Sequence, residues 1–140
     1  MSKVAVVYWS GTGNTEAMAK AVSSGAETAG ASVSEFKAAE FSADMVGSYD
    51  GIAFGCPAMG AEVLEESEFQ PMWDSVKNSL GGKKVGLFGS WGWGGGEWMN
   101  AWKDEAAGLG INVVSTVTAQ EAPDDSAKKE CAELGRLIAG

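Results

Sequence analysis

Apolar residues are arranged along this chain in two rhythms. Unbroken runs stand at Val4–Val7, Gly51–Gly55 and Val85–Phe88, each followed by glycine, serine or other turn-forming residues. Between them lie stretches in which apolar positions recur every three or four residues. Continuous short runs suit strands buried on both faces, and the three-to-four rhythm suits helices with one apolar side. The pattern predicts a first strand at Val4–Val7 and a helix from near Glu16, with Met18, Ala21, Val22 and Ala29 on its apolar face and Gly30 as its stop. It then predicts a weaker strand at Ser32–Lys37, a short helix at Ser42–Val46 and a buried strand at Gly51–Gly55.

Phe69, Trp73, Val76 and Leu80 mark the next helix, ended by Gly81-Gly82, before a fourth strand at Val85–Phe88. Trp98, Trp102, Ala106 and Leu109 mark another helix, closed by Gly110, and Ile111–Val117 is a fifth strand. Asp124 or Asp125 caps a last helix whose inner face is Ala127, Cys131, Leu134 and Ile138. Five continuous strands alternating with helices imply an α/β fold, a parallel sheet covered on both faces. The expectation is a three-layer sandwich formed as one domain over residues 1–140.

Composition narrows the function more than the fold. With no histidine there is no imidazole for zinc, acid–base catalysis or a catalytic triad. Two cysteines, Cys56 and Cys131, are too few for an iron–sulfur cluster and are read as small buried hydrophobes. A net charge of −9 argues against nucleic acid and suits attraction to basic partners. No apolar run approaches a membrane span, and no signal peptide precedes the first strand, so a cytoplasmic location without membrane attachment is expected.

The candidate chemistry begins at Ser10-Gly11-Thr12-Gly13-Asn14-Thr15, between the first strand and its helix. A helix's first N–H groups lack partners within the helix and carry partial positive charge, which makes them an anion site. Ser10, Thr12, Asn14 and Thr15 add side-chain donors, while Gly11 and Gly13 let the backbone curl inward. No lysine or arginine occurs from Val4 to Met18, and the Gly-Lys-Ser/Thr ending of a nucleoside-triphosphate loop is absent. A neutral cradle of this kind suits a terminal phosphomonoester.

Two further stretches, Gly55-Cys56-Pro57-Ala58-Met59-Gly60 and Gly89-Ser90-Trp91-Gly92-Trp93-Gly94, extend the pattern. Together with Tyr8–Thr15 they resemble the three cofactor loops of the flavodoxins, small electron carriers that bind FMN. The likeness covers the whole chain and is greatest to the short-chain, clostridial-like branch. It implies the strand order 2-1-3-4-5, which flavodoxins themselves illustrate, with FMN at the crevice where strands 1 and 3 diverge. It implies phosphate binding by residues 10–15 and flavin contacts from Pro57, Ala58, Met59, Gly60 and Glu62, then from Gly89, Ser90, Trp91, Gly92 and Trp93. In relatives the residue matching Met59 packs on the inner flavin face and the one matching Trp93 stacks on the outer face. The resemblance places the Gly60 carbonyl beside flavin N5 and makes Glu62 the candidate acceptor for N3–H.

A peptide that turns its carbonyl towards a newly protonated N5 favours the neutral semiquinone, and glycine makes that turn easy. Close relatives often have a polar residue next; here it is Ala61, which resists a positive φ by roughly 1–2 kcal/mol. A semiquinone less stabilised than in those relatives is therefore expected. Trp9 is left between two roles, shielding the phosphate end or closing the sheet end. The carboxylates Glu62, Glu65, Glu66, Glu68 and Glu97 are expected near the flavin rim, where they disfavour the anionic hydroquinone and attract basic surfaces.

The expected function is a low-potential one-electron carrier whose FMN cycles mainly between neutral semiquinone and anionic hydroquinone. Its implied partners are redox proteins with basic docking faces, of the oxidoreductase, hydrogenase, nitrogenase or NADP reductase type, met by a monomer. An FMN-dependent NAD(P)H or quinone reductase on the same fold is the alternative. It finds little here, since the chain has a single arginine, Arg136, and no insertion to build a second substrate site. A receiver domain would need acids where Tyr8, Trp9 and Cys56 stand, and a low-molecular-weight phosphatase would need arginine at Glu62.

Overall fold

Parallel pairing sets the frame: strands Lys3–Tyr8 (β1), Ser32–Lys37 (β2), Gly51–Gly55 (β3), Lys84–Trp91 (β4) and Asn112–Gln120 (β5) form one sheet in the order β2-β1-β3-β4-β5. Every neighbouring pair is parallel. The computed structural model describes residues 2–11, 13–59, 64–92 and 96–140. Helices Asn14–Thr28 (α1), Phe69–Val76 (α2), Glu97–Gly108 (α3) and Asp125–Ala139 (α4) connect or follow the strands. The order and the three layers are those the sequence led us to expect.

Each face of the sheet has its own core. On one side Phe54, Leu87, Phe69, Trp73, Trp98 and Trp102 pack beneath α2 and α3. Their rings meet edge to face, Phe69–Trp102 at 5.4 Å and Trp73–Trp102 at 5.6 Å, an arrangement that adds to the gain from burial. On the other side Val4, Val6, Met18, Val22, Cys131, Leu134 and Ile138 pack beneath α1 and α4. Here α1 and α4 cross at backbone distance. A Cβ on Gly25 would lie 2.0 Å from the Ala132 carbonyl oxygen, and one on Gly135 would lie 2.1 Å from that of Val22. Only glycine permits that approach.

Several boundaries differ from the sequence pattern. β1 includes Tyr8, and α1 starts at Asn14 rather than near Glu16, so Asn14 and Thr15 form its first turn. The buried face of α1 is Thr15, Met18, Ala19, Val22, Ser23 and Ala26; Ala29 is exposed and Ala21 only half-buried. Small residues on both sides of this helix hid its true face. β4 continues past Phe88 to Trp91, because β5 is long enough to pair Gly89, Ser90 and Trp91 with Thr118, Ala119 and Gln120. The short helix expected at Ser42–Val46 is a 3-10 segment at Ala43–Ser48. Leu109 falls just beyond the end of α3 and is 42% exposed. Asp124 does cap α4, accepting from the Ala127 N–H at 2.8 Å. Among the described residues no helix is long and apolar enough to cross a membrane.

Candidate functional site

Three loops leave the same edge of the sheet, since parallel strands all end on one side. The first follows β1. Trp9 N–H donates to the Gly55 carbonyl at 3.0 Å, holding the chain to β3 until the turn begins. Gly13 then adopts φ 93°, a left-handed conformation open to glycine, and its N–H donates to Ser10 Oγ at 3.0 Å. The Ser10 hydroxyl accepts that bond and keeps its own proton to donate. Among the described residues no side chain caps the first turn of α1. Thr15, in that turn, is 1% exposed, and its hydroxyl has no partner among the described residues. A buried hydroxyl without a partner costs stability, so its retention at this turn fits an acceptor brought by a ligand.

The second loop follows β3 and is hung from β4: Cys56 N–H donates to the Phe88 carbonyl at 3.1 Å and Ala58 N–H to that of Ser90 at 3.0 Å. The third follows β4 and is fastened to the end of β5. Ser90 Oγ donates to the Glu121 carbonyl at 2.6 Å, and Glu121 N–H donates to the Trp91 carbonyl at 2.7 Å. Glu121 takes φ 57°, the one non-glycine positive φ among the described residues.

A cavity of about 400 Å³ lies where the three loops meet. Gly11 and Asn14 face it from the first loop, Pro57, Ala58 and Met59 from the second, and Ser90, Trp91 and Gly92 from the third. Trp9 and Glu121 complete its wall. The size falls in the usual range for a small-molecule site. A second cavity of about 510 Å³ opens on the other side of Trp9, lined by Tyr8, Glu16, Lys37, Glu40 and Glu68. Trp9 is therefore a partition between the two, its indole donating to Glu68 Oε1 at 2.9 Å. Of the expected site residues, Thr12, Gly60, Glu62 and Trp93 lie outside the described residues, as does Ala61. Ser10 and Gly13 line the larger cavity rather than the smaller one, Thr15 lines neither, and Gly89 does not reach either. It is packed beneath Cys56, where a Cβ would stand 2.1 Å from that residue's carbonyl oxygen.

Glu121 escaped the sequence reading, since nothing in Gln120-Glu121-Ala122 marks a turn residue. Glu65, expected on the rim with its neighbours, instead turns its carboxylate inward, and the residue is 5% exposed. Ser67, Glu68 and Phe69 donate their N–H groups to it at 2.7–2.9 Å, and the Ser67 hydroxyl donates as well. Burial by itself would raise this carboxyl. The Ser67 hydroxyl and the three N–H groups outweigh that and bring it down to about 2. Cys56 and Cys131 are buried thiols, as expected, and burial pushes each up to about 12.

Both the sequence and the fold have counterparts among known proteins. The family model described as Flavodoxin matches residues 6–135. The flavodoxin of Megasphaera elsdenii is 48% identical over 136 residues, 97% of this chain and 98% of that protein. This chain belongs to the flavodoxin family. The flavodoxin of Clostridium beijerinckii is 42% identical over 134 residues, 96% of this chain and 97% of its own. Among solved structures, the two-electron reduced M. elsdenii flavodoxin superposes with a TM-score of 0.90, covering 97% of this chain and 98% of that one. An archaeal flavodoxin does so at 0.85 with 29% identity, covering 98% and 96%.

Flavodoxins bind FMN and transfer electrons to and from other redox proteins rather than turn over a substrate of their own. Those properties hold for this chain. The residues present fit the cofactor: the partnerless Thr15 hydroxyl and the uncapped α1 turn suit a phosphate, and the Met59–Trp91 side of the cavity suits a flat apolar ring.

Proposed function

We propose that the chain is a low-potential one-electron carrier whose FMN lies across the three-loop cavity, phosphate towards α1 and ring between the second and third loops. The convergence of Asn14, Met59 and Trp91 on one cavity carries this reading. Ser10, Gly11, Thr12, Gly13, Asn14 and Thr15 hold the phosphate with neutral donors. Pro57, Ala58, Met59, Gly60 and Glu62 flank one side of the ring, and Ser90, Trp91, Gly92 and Trp93 the other. Gly89 serves from behind by letting the second loop lie close to β4. Bound FMN supplies two separable one-electron steps, the protein cycling mainly between neutral semiquinone and anionic hydroquinone.

The surface around the cavity supports a docking role. Glu68 and Glu121, both exposed, border the two cavities, and the chain as a whole carries −9. That field attracts basic faces on partner oxidoreductases, hydrogenases, nitrogenases or NADP reductases and disfavours a further negative charge on the reduced flavin. The protein acts in the cytoplasm as a monomer.

Stepwise dithionite reduction of the FMN-loaded protein, followed by absorption, tests the reading. A blue neutral semiquinone should accumulate before the colourless form. Direct passage from yellow to colourless, or rapid oxidation of NAD(P)H by the protein alone, would count against it.

A further inference from the structure

Glu65 is the only charged side chain buried among the described residues, and no cation balances it. Every polar group it has is occupied. Its carboxylate takes the N–H groups of Ser67, Glu68 and Phe69, and its carbonyl accepts from Gln70 N–H at 2.8 Å. Its own N–H donates to Cys56 Sγ at 3.3 Å. The thiol in turn donates to the Pro57 carbonyl at 3.5 Å, which a protonated sulfur can do and a thiolate cannot. Cys56 is itself immobilised, since its carbonyl accepts from Trp98 Nε1 at 3.1 Å and its N–H is bound to Phe88. The chain thus leaves β3 at Cys56, and Glu65, ahead of α2, is joined back to that residue.

We propose that Glu65 and the Cys56 thiol form a clasp that sets the position of Pro57, Ala58 and Met59 against the flavin, so that Glu65 is a positioning residue for a cofactor it does not touch. Neither residue lines the cavity, whereas Pro57, Ala58 and Met59 do. A simple helix cap would need one or two of these bonds. The turn held by Glu65 also presents Glu68, whose Oε1 fixes the Trp9 indole on the opposite wall. One buried carboxylate therefore governs both sides of the cofactor site.

The inference rests on the assignment of Pro57–Glu62 to FMN made above, and the test separates the two. FMN affinity and the semiquinone fraction at half-reduction are measured for wild type, E65Q, E66Q and C56A. Glu66 is exposed and adjacent, so E66Q removes the same charge without touching the clasp. Wild type should bind FMN tightly. E65Q should raise the FMN dissociation constant at least tenfold and change the semiquinone fraction at least twofold, with E66Q within twofold of wild type in both. C56A should move in the same direction as E65Q by a smaller factor, and it serves alone if E65Q does not fold. Equal effects of E65Q and E66Q would reduce Glu65 to a surface charge and overturn the proposal. A less stable E65Q with wild-type affinity and semiquinone fraction would make Glu65 a structural cap only, and that result overturns the proposal as well. Failure of wild type to bind FMN would overturn the function assigned to the cavity, and the clasp with it.

Discussion

The indole Nε1 of Trp9 donates to Glu68 Oε1 at 2.9 Å, linking the residue before the phosphate turn to the residue before α2. The ring edge also covers Gly11, where an added Cβ would stand 3.1 Å from it. Sequence left Trp9 between two roles; in the structure it borders both cavities and is placed to exclude water from the one proposed to hold FMN. Trp9→Phe keeps an aromatic wall and removes the bond. Its stability cost should be about 1 kcal/mol in urea denaturation, because the bond is exposed. The FMN dissociation constant should rise roughly 3- to 10-fold by flavin fluorescence titration, the range for one modest interaction lost. No change in affinity would reduce Trp9 to a sheet-end residue.

Thr15 offers a test in which two measurements move in opposite senses. Its hydroxyl is buried without a partner, so Thr15→Val should leave the cofactor-free protein as stable as wild type or up to about 1–2 kcal/mol more stable. The same change should weaken FMN binding roughly 10- to 100-fold, the worth of a hydrogen bond to a charged group. Thermal melts of the cofactor-free protein beside fluorescence titrations decide it. Loss of stability with unaltered affinity would show that the hydroxyl serves the fold.

Glu65 gives the chain a specific acid response. Its carboxyl lies at about 2 when folded against an ordinary value of 4.5, a depression, so its contribution is complete above about pH 4.5 and is lost as pH falls through about 2. At neutral pH that contribution is up to about 3 kcal/mol. Thermal melts from pH 6 down to pH 2 should show wild type and E65Q far apart at the upper end and converging at the lower. A gap independent of pH would mean that packing, not ionisation, makes the difference.

Glu121 holds φ 57° with both backbone groups occupied, its N–H on Trp91 and its carbonyl on Ser90. Asparagine tolerates the left-handed region better than glutamate does. Glu121→Asn should therefore stabilise the protein by about 0.5–1 kcal/mol, read as a higher urea midpoint with an unchanged slope. A lower midpoint would show that the glutamate side chain supplies a compensating contact.

The Gly51–Gly55 strand was legible to the residue because glycine stands at both ends, and the weaker Ser32–Lys37 strand because Gly30 precedes it. A cap at Asp124 or Asp125 was legible because both precede an amphipathic run, and the structure selects Asp124. The end of β4 was not, since Gly89-Ser90-Trp91 reads as a loop until the length of β5 is known. Leu109 fits the helical period, yet α3 stops at Gly108 and leaves it outside. The three loops that meet at the cavity could be picked out from their small residues and tryptophans. Glu65 could not be told from Glu66 or Glu68, because which carboxylate turns inward depends on how α2 meets the sheet. Glu121 was hidden for a related reason: its strain comes from fastening β4 to β5, a contact with no local trace.

The backbone-to-backbone crossing of α1 with α4 has a bearing on what the flavin reports. The turn proposed to receive the phosphate opens α1, which is seated on a helix about a hundred residues further along the chain, through Gly25 against Ala132 and Gly135 against Val22. Whatever peels α4 away leaves that turn without its backing. The yellow colour is thus a gauge of end-to-end integrity: during denaturation, the fluorescence of released flavin should rise in step with the loss of helix, and never ahead of it.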